Sequence, residues 1–324
     1  MNSQQTIIEK INSLAANHKT FLFIADFELK KTIVFEPHEF LQQKVQFEFP
    51  KASFKSNEVL ANHPKYFSKS PIPFHEYKTS FDKVKQHLNY GNSFLTNLTA
   101  PTKIETNLTL SEIYQLAKAK YKISFQDKWI CFSPETFIQI NQGEISTHPM
   151  KGTIDASIPN AEFIILNDPK ETAEHYTIVD LMRNDLSKVA TQVQVEKFRY
   201  IDRIKTNQKE LLQVSSKITG KLPPDYLTHL GTILFDLLPA GSISGAPKCK
   251  TLDIINEAEN YSRGYYTGVA FYFDGHNLDS CVLIRFIEQT PDCLVYKSGG
   301  GITVNSQAEN EYQELIDKVY VPGI

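Results

Sequence analysis

The sequence predicts an α+β fold in which antiparallel sheet carries helices. Alternating runs rich in Val, Ile, Phe and Tyr, such as VQFEF, GVAFYFD and CLVYKSGGG, are typical of strands. Helical patterns separate such runs at 168–188, 245–260 and 306–319. Several runs are close enough in sequence to form hairpins, which favours an antiparallel sheet over a parallel, doubly wound one.

The first 50 residues contain three strand-like runs, FLFIADF, KTIVFEP and VQFEF. The stretch from Pro50 to Lys78 is rich in Pro, Ser, Lys and His and has no periodicity, so it is interpreted as a connection. A helix is predicted from Ser80 to Gly91, and another follows Thr109, with Glu112 completing a capping box. We therefore divide the chain into an N-terminal β-rich region with its connection (1–75) and a main domain (76–324).

Composition excludes several classes of protein. The 324 residues carry 34 basic and 37 acidic side chains, a balance that argues against nucleic-acid binding. No apolar run approaches the ~18 residues of a membrane span, and the polar start MNSQQTIIEKINSL predicts an amphipathic helix instead of a signal peptide. Four separated cysteines without a C-x-x-C pair favour a cytoplasmic location.

The segment NDPKETAEHYTIVDLMRNDLS places two carboxylates on the apolar side of a helix. Asp168 is a candidate N-cap with Pro169 at the first position, and Glu171 and Glu174 lie one turn apart on the side of Ile178. Glu171 has an alternative role in a capping box, whereas Glu174 does not. A buried, unpaired carboxylate costs several kcal/mol, so Glu174 requires a cation or a proton.

A second helix, in NSQAENEYQELIDKVY, repeats this spacing. Ser306 is the predicted cap, with Glu309 completing the box, and Glu311, Glu314 and Lys318 follow at one-turn intervals. The alternative interpretation is an ordinary Glu–Lys surface pair. If the two helices face each other, up to four carboxylates converge, and such an oxygen-only set suits Mg²⁺.

Three further features indicate an anionic ligand. The triplet Gly299–Gly301 and the loop PAGSISGAPK before a helix both offer backbone N–H groups, although a glycine triplet is also found in flexible turns. Arg285 lies in VLIRF, a predicted buried strand, and needs a carboxylate partner that is internal or belongs to a ligand. In HPMKGTI, Lys151 occupies a tight turn between Pro149 and Gly152. Together these features predict a small polycarboxylate ligand.

The motifs SPETF, HPMKGT, EHYTIVDLMRND, PAGSISGAPK, RGYYTG and SGGG…ENEYQELIDK occur in the order seen in chorismate-utilising enzymes. The chain resembles this family from roughly residue 75 to residue 320. The family includes anthranilate, aminodeoxychorismate, isochorismate and salicylate synthases. The resemblance implies an anthranilate-synthase-like fold of large packed antiparallel sheets with helices outside, a chorismate-binding catalytic domain at 76–324, and Mg²⁺ as cofactor.

Within the family, the residue at position 151 separates the branches. Anthranilate and salicylate synthases carry alanine there, whereas Lys151 resembles aminodeoxychorismate synthase component I. Leu95 stands where the water-using members place a general-base lysine. The resemblance implies amination of chorismate with ammonia to 4-amino-4-deoxychorismate. The alternatives are anthranilate synthase component I and a non-catalytic chorismate-binding relative.

The resemblance also assigns roles to individual residues. Lys151 corresponds to a covalent nucleophile, for which we expect burial and Mg²⁺ to lower the pKa, and Glu135 to the general acid. Glu174 and Glu314 correspond to direct metal ligands, and Glu171 and Glu311 to ligands acting partly through water. The positions that hold the substrate are Gly152, Thr153, Tyr266, Arg285, Gly299 and Lys318.

The chain departs from the family pattern at two positions, and the resemblance implies two partner enzymes. Gln213 stands where the family usually has a histidine, and Ser242 replaces a common threonine. No cysteine lies in a recognisable glutaminase motif, so the resemblance implies a separate glutaminase subunit that supplies ammonia. A downstream aminodeoxychorismate lyase would release p-aminobenzoate for folate. The short N-terminal region gives no reason to predict tryptophan binding.

Overall fold

The computed structural model describes residues 3–55, 65–205 and 210–323, which form two nine-stranded sheets. Each strand pairing in this part of the chain is antiparallel. Helices pack against the outer faces of the sheets. The predicted α+β class with packed antiparallel sheets is therefore confirmed.

The first sheet has the order β11-β13-β10-β9-β16-β15-β1-β2, with β12 paired to β13. Its strands are β1 (Phe21–Ala25), β2 (Ile33–Phe35), β9 (Thr136–Asn141), β10 (Glu144–Thr147), β11 (Met150–Asp155), β12 (Thr191–Lys205), β13 (Glu210–Lys221), β15 (Val269–Phe273) and β16 (Leu278–Val282).

The second sheet has the order β14-β6-β18-β17-β8-β7-β3-β4, with β5 paired to β6. Its strands are β3 (Val45–Phe49), β4 (Ala52–Phe54), β5 (Phe67–Pro71), β6 (Leu95–Thr106), β7 (Tyr121–Phe125), β8 (Trp129–Ser133), β14 (Gly245–Ala246), β17 (Phe286–Gln289) and β18 (Leu294–Ile302).

The helices of the described residues are α1 (Ser3–Ala16), α2 (Phe74–Asn89), α3 (Leu110–Leu116), α4 (Ala161–Asn167), α5 (Pro169–Leu186), α6 (Leu230–Leu237), α7 (Gly241–Ser244), α8 (Lys248–Ala258) and α9 (Ala308–Asp317). None of them is long and apolar enough to cross a membrane.

Apolar side chains fill the space between the layers. Leu22 and Ile24 of β1 pack against Phe47 and Trp129 between the two sheets. Because side chains alternate along a strand, the intervening Phe23 faces the helices on the other side of the first sheet. Corresponding cores join α5 and α6 to the first sheet, and α2, α8 and α9 to the second.

The N-terminal strands extend both sheets. β1 pairs with β15 in the first sheet, and β3 pairs with β7 in the second. These strands do not form a sheet of their own within the described residues. The division of the chain at residue 75 stays a prediction about domains.

Most predicted elements are present, but the predicted starts of two helices, α2 and α9, are wrong. α5 begins after Asp168 and α3 after Thr109, whose capping box with Glu112 is formed. α2 begins at Phe74 instead of Ser80, because Tyr77 belongs to its buried, periodic face. The predicted connection also contains β5, while its residues 56–64 lie outside the described part.

The start of α9 also differs by one residue from the prediction. Its N-cap is Gln307 instead of Ser306. The Ser306 hydroxyl oxygen accepts a hydrogen bond from the Thr303 backbone N–H at 3.1 Å, so it stabilises the preceding turn.

Two of the crossovers at which the chain passes between the two sheets lie next to each other. One joins β8 to β9 and contains Glu135, and the other joins β16 to β17 and contains Arg285. The Phe132 N–H donates to the Arg285 carbonyl at 3.1 Å, and the Val282 N–H donates to the Glu135 carbonyl at 3.2 Å. The expectation that Arg285 lies within a strand is therefore wrong. The apolar run continues through the crossover, where Arg285 adopts a φ of 56°.

Candidate active site

Lys151 reaches from the first sheet to the second. It lies on β11, where the register with β13 shifts between Lys151 and Thr153 and Gly152 adopts a φ of 78°. Its Nζ donates to Oε2 of Glu174 at 3.2 Å. The same Nζ lies close to Gly301 of β18, since a Cβ added to this glycine would be 3.2 Å from it. With 22% of its side chain exposed, Lys151 does not extend into bulk solvent.

The charge environment of Lys151 differs from our expectation. Burial lowers the pKa of this amine, as predicted. The carboxylates of Glu174, Glu171 and Glu314 outweigh burial and raise the Lys151 pKa above its ordinary value. Burial therefore acts in the expected direction, and the lowering expected from Mg²⁺ stays a prediction.

The two acidic helices meet around Lys151 and the glycine triplet. Glu174 of α5 is 6% exposed, and Oε2 of Glu171 lies 3.3 Å from where a Cβ on Gly152 would stand. Glu311 of α9 is buried.

A Cβ placed on Gly300 would lie 3.5 Å from Oε1 of Glu314 and 3.6 Å from Oε2 of Glu311. Because Lys151 is affected by carboxylates from both helices, the predicted convergence of the helices is present.

The donor set fits a hard divalent cation. In the described part of the chain, no three acidic, His or Cys side chains are close enough together to form a ready metal site. Mg²⁺ usually binds through only one or two protein carboxylates and completes its shell with water and substrate oxygens. Four carboxylates from two facing helices meet that requirement, so Glu174, Glu314, Glu171 and Glu311 stay candidates for holding it.

Glu135 is placed to act as an acid. The Ser242 hydroxyl, in α7, donates to Oε1 of Glu135 at 2.6 Å. Burial raises the pKa of Glu135, and this effect exceeds the opposing effects of Ser242 and of the charges on Lys151, Arg285 and Lys318. A carboxyl group that retains its proton to higher pH suits a general acid.

The cationic side of the site contains Arg285 and Lys318. The Arg285 Nε is buried and has no hydrogen-bond partner among the described residues, and the guanidinium lies 5.4 Å from the centre of the Tyr320 ring. Lys318 Nζ donates to the Gly299 carbonyl at 2.8 Å and to Glu314 at 2.6 Å. Among the described residues Arg285 forms no salt bridge, although its charge acts on the carboxyl group of Glu135, so the internal partner and the ligand stay alternatives.

Tyr266 and Gly299 lie beside these cations. Tyr266 is buried, and the Arg285 charge acts on its hydroxyl. A Cβ on Gly299 would lie 2.4 Å from the Leu98 carbonyl oxygen, so the backbone there excludes any larger residue. Tyr266, Arg285, Gly299 and Lys318 therefore lie close together, whereas Gly152 and Thr153 lie on β11. The roles of all six residues stay predictions.

Gln213, which stands where the family usually has a histidine, lies on the strand next to Thr153. Gln213 pairs with Thr153 between β13 and β11, and its Nε2 donates to the Thr153 hydroxyl at 3.4 Å. The amide thus contacts Thr153 but cannot transfer a proton as an imidazole does.

Sequence reasoning missed a buried ion pair next to the site. Arg263 and Glu259 are 1% and 2% exposed, and their nearest atoms are 2.6 Å apart. The spacing E-x-x-x-R was visible in the sequence, but Glu259 follows the end of α8, where helical spacing no longer predicts a contact.

A family model described as "chorismate binding enzyme" matches residues 11–322. An "Uncharacterized PabA-like protein" of Haemophilus influenzae is 48% identical over 99% of this chain and 98% of that protein. "Aminodeoxychorismate synthase component 1" of Klebsiella aerogenes is 32% identical over 75% of this chain and 56% of that protein. "Anthranilate synthase component 1" of Bacillus pumilus is 31% identical over 75% of this chain and 49% of that protein.

Solved structures give the same fold. Anthranilate synthase component I from Streptococcus pneumoniae has a TM-score of 0.66 and 28% identity, covering 81% of this chain and 60% of that one. MenF, the menaquinone-specific isochorismate synthase from Escherichia coli, has a TM-score of 0.74 and 15% identity, covering 97% of this chain and 80% of that one. At that lower identity, the second likeness concerns the fold alone.

Proposed function

Because the chain belongs to the chorismate binding enzyme family, we propose that it aminates chorismate with ammonia to give 4-amino-4-deoxychorismate. The observation that carries this proposal is the position of Lys151. Its amine lies between the acidic helices and the glycine triplet, with Glu135 close enough for their charges to interact.

The reaction proceeds by two displacements. The neutral amine of Lys151 forms a bond to C2 of chorismate, both ring double bonds shift, from C1=C2 and C5=C6 to C1=C6 and C4=C5, and the C4–O bond breaks. Glu135 gives its proton to the departing hydroxyl, which leaves as water. Ammonia then bonds to C4 as the two double bonds shift back and the C2–N bond breaks, and Lys151 is released as the free amine. The new ammonium group gives one proton to the Glu135 carboxylate, which restores the acid. Chorismate and ammonia thus give the aminated ring and water, and the amino group occupies the face that the hydroxyl left.

The remaining residues hold the substrate during these steps. The buried Arg285 Nε is available to a substrate carboxylate, and Tyr266 and Lys318 lie close to it. Gly299 has no side chain, and the neighbouring strand β6 leaves no room for one. The backbone at Gly299 can therefore approach a ligand closely.

Glu174, Glu314, Glu171 and Glu311 would hold Mg²⁺. When bound, the cation would neutralise the carboxylates that raise the Lys151 pKa, bind the ring carboxylate and withdraw electrons from the ring.

Similarity alone does not separate amination from anthranilate synthesis, because relatives with either name are 32% and 31% identical to the chain. The lysine at position 151 favours amination. The ammonia would come from a separate glutaminase subunit, because none of the four cysteines lies in a recognisable glutaminase motif. A lyase would then consume the product.

The test is to incubate the pure chain with chorismate, ammonium and Mg²⁺ and to identify the product by mass. We expect 4-amino-4-deoxychorismate, which a lyase converts to p-aminobenzoate. Fluorescent anthranilate would instead support the second activity. Unchanged chorismate would support a non-catalytic relative.

A further inference from the structure

The Arg263–Glu259 ion pair connects three elements that line the candidate site. Arg263 Nε donates to Oε2 of Glu259 at 2.8 Å, and Nη2 donates to Oε1 at 2.6 Å. This geometry is bidentate, which fixes the plane of the guanidinium as well as its position.

The other Arg263 donors reach backbone on two different elements. Nη1 donates to the Ile243 carbonyl at 3.0 Å, in the short helix whose Ser242 hydroxyl binds Glu135. Nη2 donates to the Asn97 carbonyl at 2.7 Å, and Asn97 pairs with Gly301 across the second sheet. Arg263 therefore fixes the support of the proposed acid relative to the glycine triplet.

The remaining N–H of Arg263, on Nη1, reaches the loop that carries Tyr266. Nη1 also contacts the Thr267 hydroxyl oxygen at 3.4 Å, and the Thr267 hydroxyl donates to the Tyr266 carbonyl at 2.6 Å. Thr267 has a φ of 61°, a left-handed conformation that is rare for a β-branched residue. Such a conformation persists only where surrounding contacts hold it.

Glu259 extends the same connection to Gly299. Its Oε1 accepts hydrogen bonds from the Thr99 N–H and from the Thr99 hydroxyl, both at 2.8 Å. Thr99 pairs with Gly299 across the second sheet. With all five N–H donors of Arg263 used, the pair binds the helix that carries Ser242, the strand β6 that pairs with the glycine triplet, and the loop that carries Tyr266.

We propose that Arg263 and Glu259 are positioning residues for chorismate, holding Tyr266, the Gly299–Gly301 strand and the support of Glu135 in register. The proposal rests on the function proposed above and adds two residues that do not touch the substrate. Lysine at position 263 would keep the charge but offer its donors from a single point, so it could not reach all three elements.

The first experiment compares Arg263→Lys with Glu48→Gln. The control breaks another part-buried ion pair, Glu48–Lys122, which is 2.6 Å long and lies on β3 and β7. Chorismate affinity is measured by calorimetry with Mg²⁺ and without ammonium, at a temperature where circular dichroism shows each variant folded. We expect Arg263→Lys to weaken binding about 10- to 100-fold and Glu48→Gln to change it less than about twofold. Unchanged affinity in folded Arg263→Lys would overturn the proposal.

A second pair of variants decides the question if Arg263→Lys does not fold. Thr267→Val removes the hydroxyl while keeping the shape, and Thr267→Ser keeps the hydroxyl. We expect the valine variant to bind chorismate several-fold more weakly than the serine variant, and equal affinities would contradict the positioning role. Because binding is measured without ammonia, a wild-type chain that binds chorismate but makes no aminated product refutes the proposed function and leaves this comparison valid.

Discussion

Arg263 is buried and Lys151 is part-buried, and each lies next to a carboxylate, but their surroundings differ. Arg263 uses all five N–H donors, on a carboxylate, two carbonyls and a hydroxyl. Lys151 makes one hydrogen bond that we describe, to Glu174 at 3.2 Å, and it retains 22% exposure. A guanidinium whose donors are all used fixes the framework. The proposed role of Lys151 requires an amine that is not held by such a set of hydrogen bonds.

The strongest test of this contrast is Lys151→Ala. We expect turnover of chorismate with ammonium and Mg²⁺ to fall roughly 10³-fold or more, because the nucleophile is lost, while chorismate still binds. Lys151→Arg is the matched variant, since it keeps the positive charge near Glu174 but its group is never neutral. Undiminished turnover in either variant, measured by product mass, would remove the covalent route.

A smaller effect is expected from the carboxylates around Lys151. Glu174→Gln should raise the Mg²⁺ concentration required for half-maximal turnover by about 10- to 100-fold. Glu309→Gln serves as the control, because Glu309 is exposed on α9, outside the predicted ligand set. The metal assignment would fail if wild-type activity survived a chelator.

A change in pH dependence is expected at Ser242. Its hydrogen bond stabilises the ionised form of Glu135, so Ser242→Ala should raise the Glu135 pKa further above its usual value. The acid then keeps its proton to higher pH, and the alkaline limb of kcat/KM should move upward, with turnover changing about tenfold or less. Ser242→Thr keeps the hydroxyl and should leave the limb in place. An identical profile for the alanine variant would argue against Glu135 as the acid.

The smallest effect concerns stability. Burial raises the pKa of Glu135, so its ionised form is less stable in the folded chain than in the unfolded chain. Glu135→Gln should therefore raise the melting temperature at pH 8 by about 1–3 °C. Below the ordinary pKa of 4.5, both states are protonated and the two proteins should melt alike. Equal melting temperatures at both pH values would show that the buried carboxyl does not reduce stability.

Features that depend on residues close together in the sequence could be predicted. Asp168 caps α5, and Thr109 forms a capping box with Glu112, because each depends on residues three positions apart. The burial of Glu174 followed from the helical period, since it shares a face with apolar residues. Strand β3 matches the run VQFEF because its side chains alternate between buried and partly buried.

Contacts between distant segments could not be predicted in this way. The chain leaves the first sheet beside Arg285. The sequence shows no break there, since β16 before it and β17 after it are both largely buried and the apolar pattern is continuous. The raised pKa of Lys151 depends on carboxylates contributed by two other helices. Sequence patterns supplied the acidic helices, and resemblance to a family supplied the roles of the site residues. Neither revealed the Arg263–Glu259 pair, whose partners include a short helix and a distant strand.

The place of β1 has a consequence for how this polypeptide emerges from the ribosome. Its residues Phe21–Ala25 pair on one side with β15, at Val269–Phe273, which is synthesised some 250 residues later. At translation rates of about 5–20 residues per second, β1 waits on the order of 10–50 s for that partner. During this interval an apolar strand edge is open to other chains, so we expect a nascent form of this protein to engage chaperones until β15 appears.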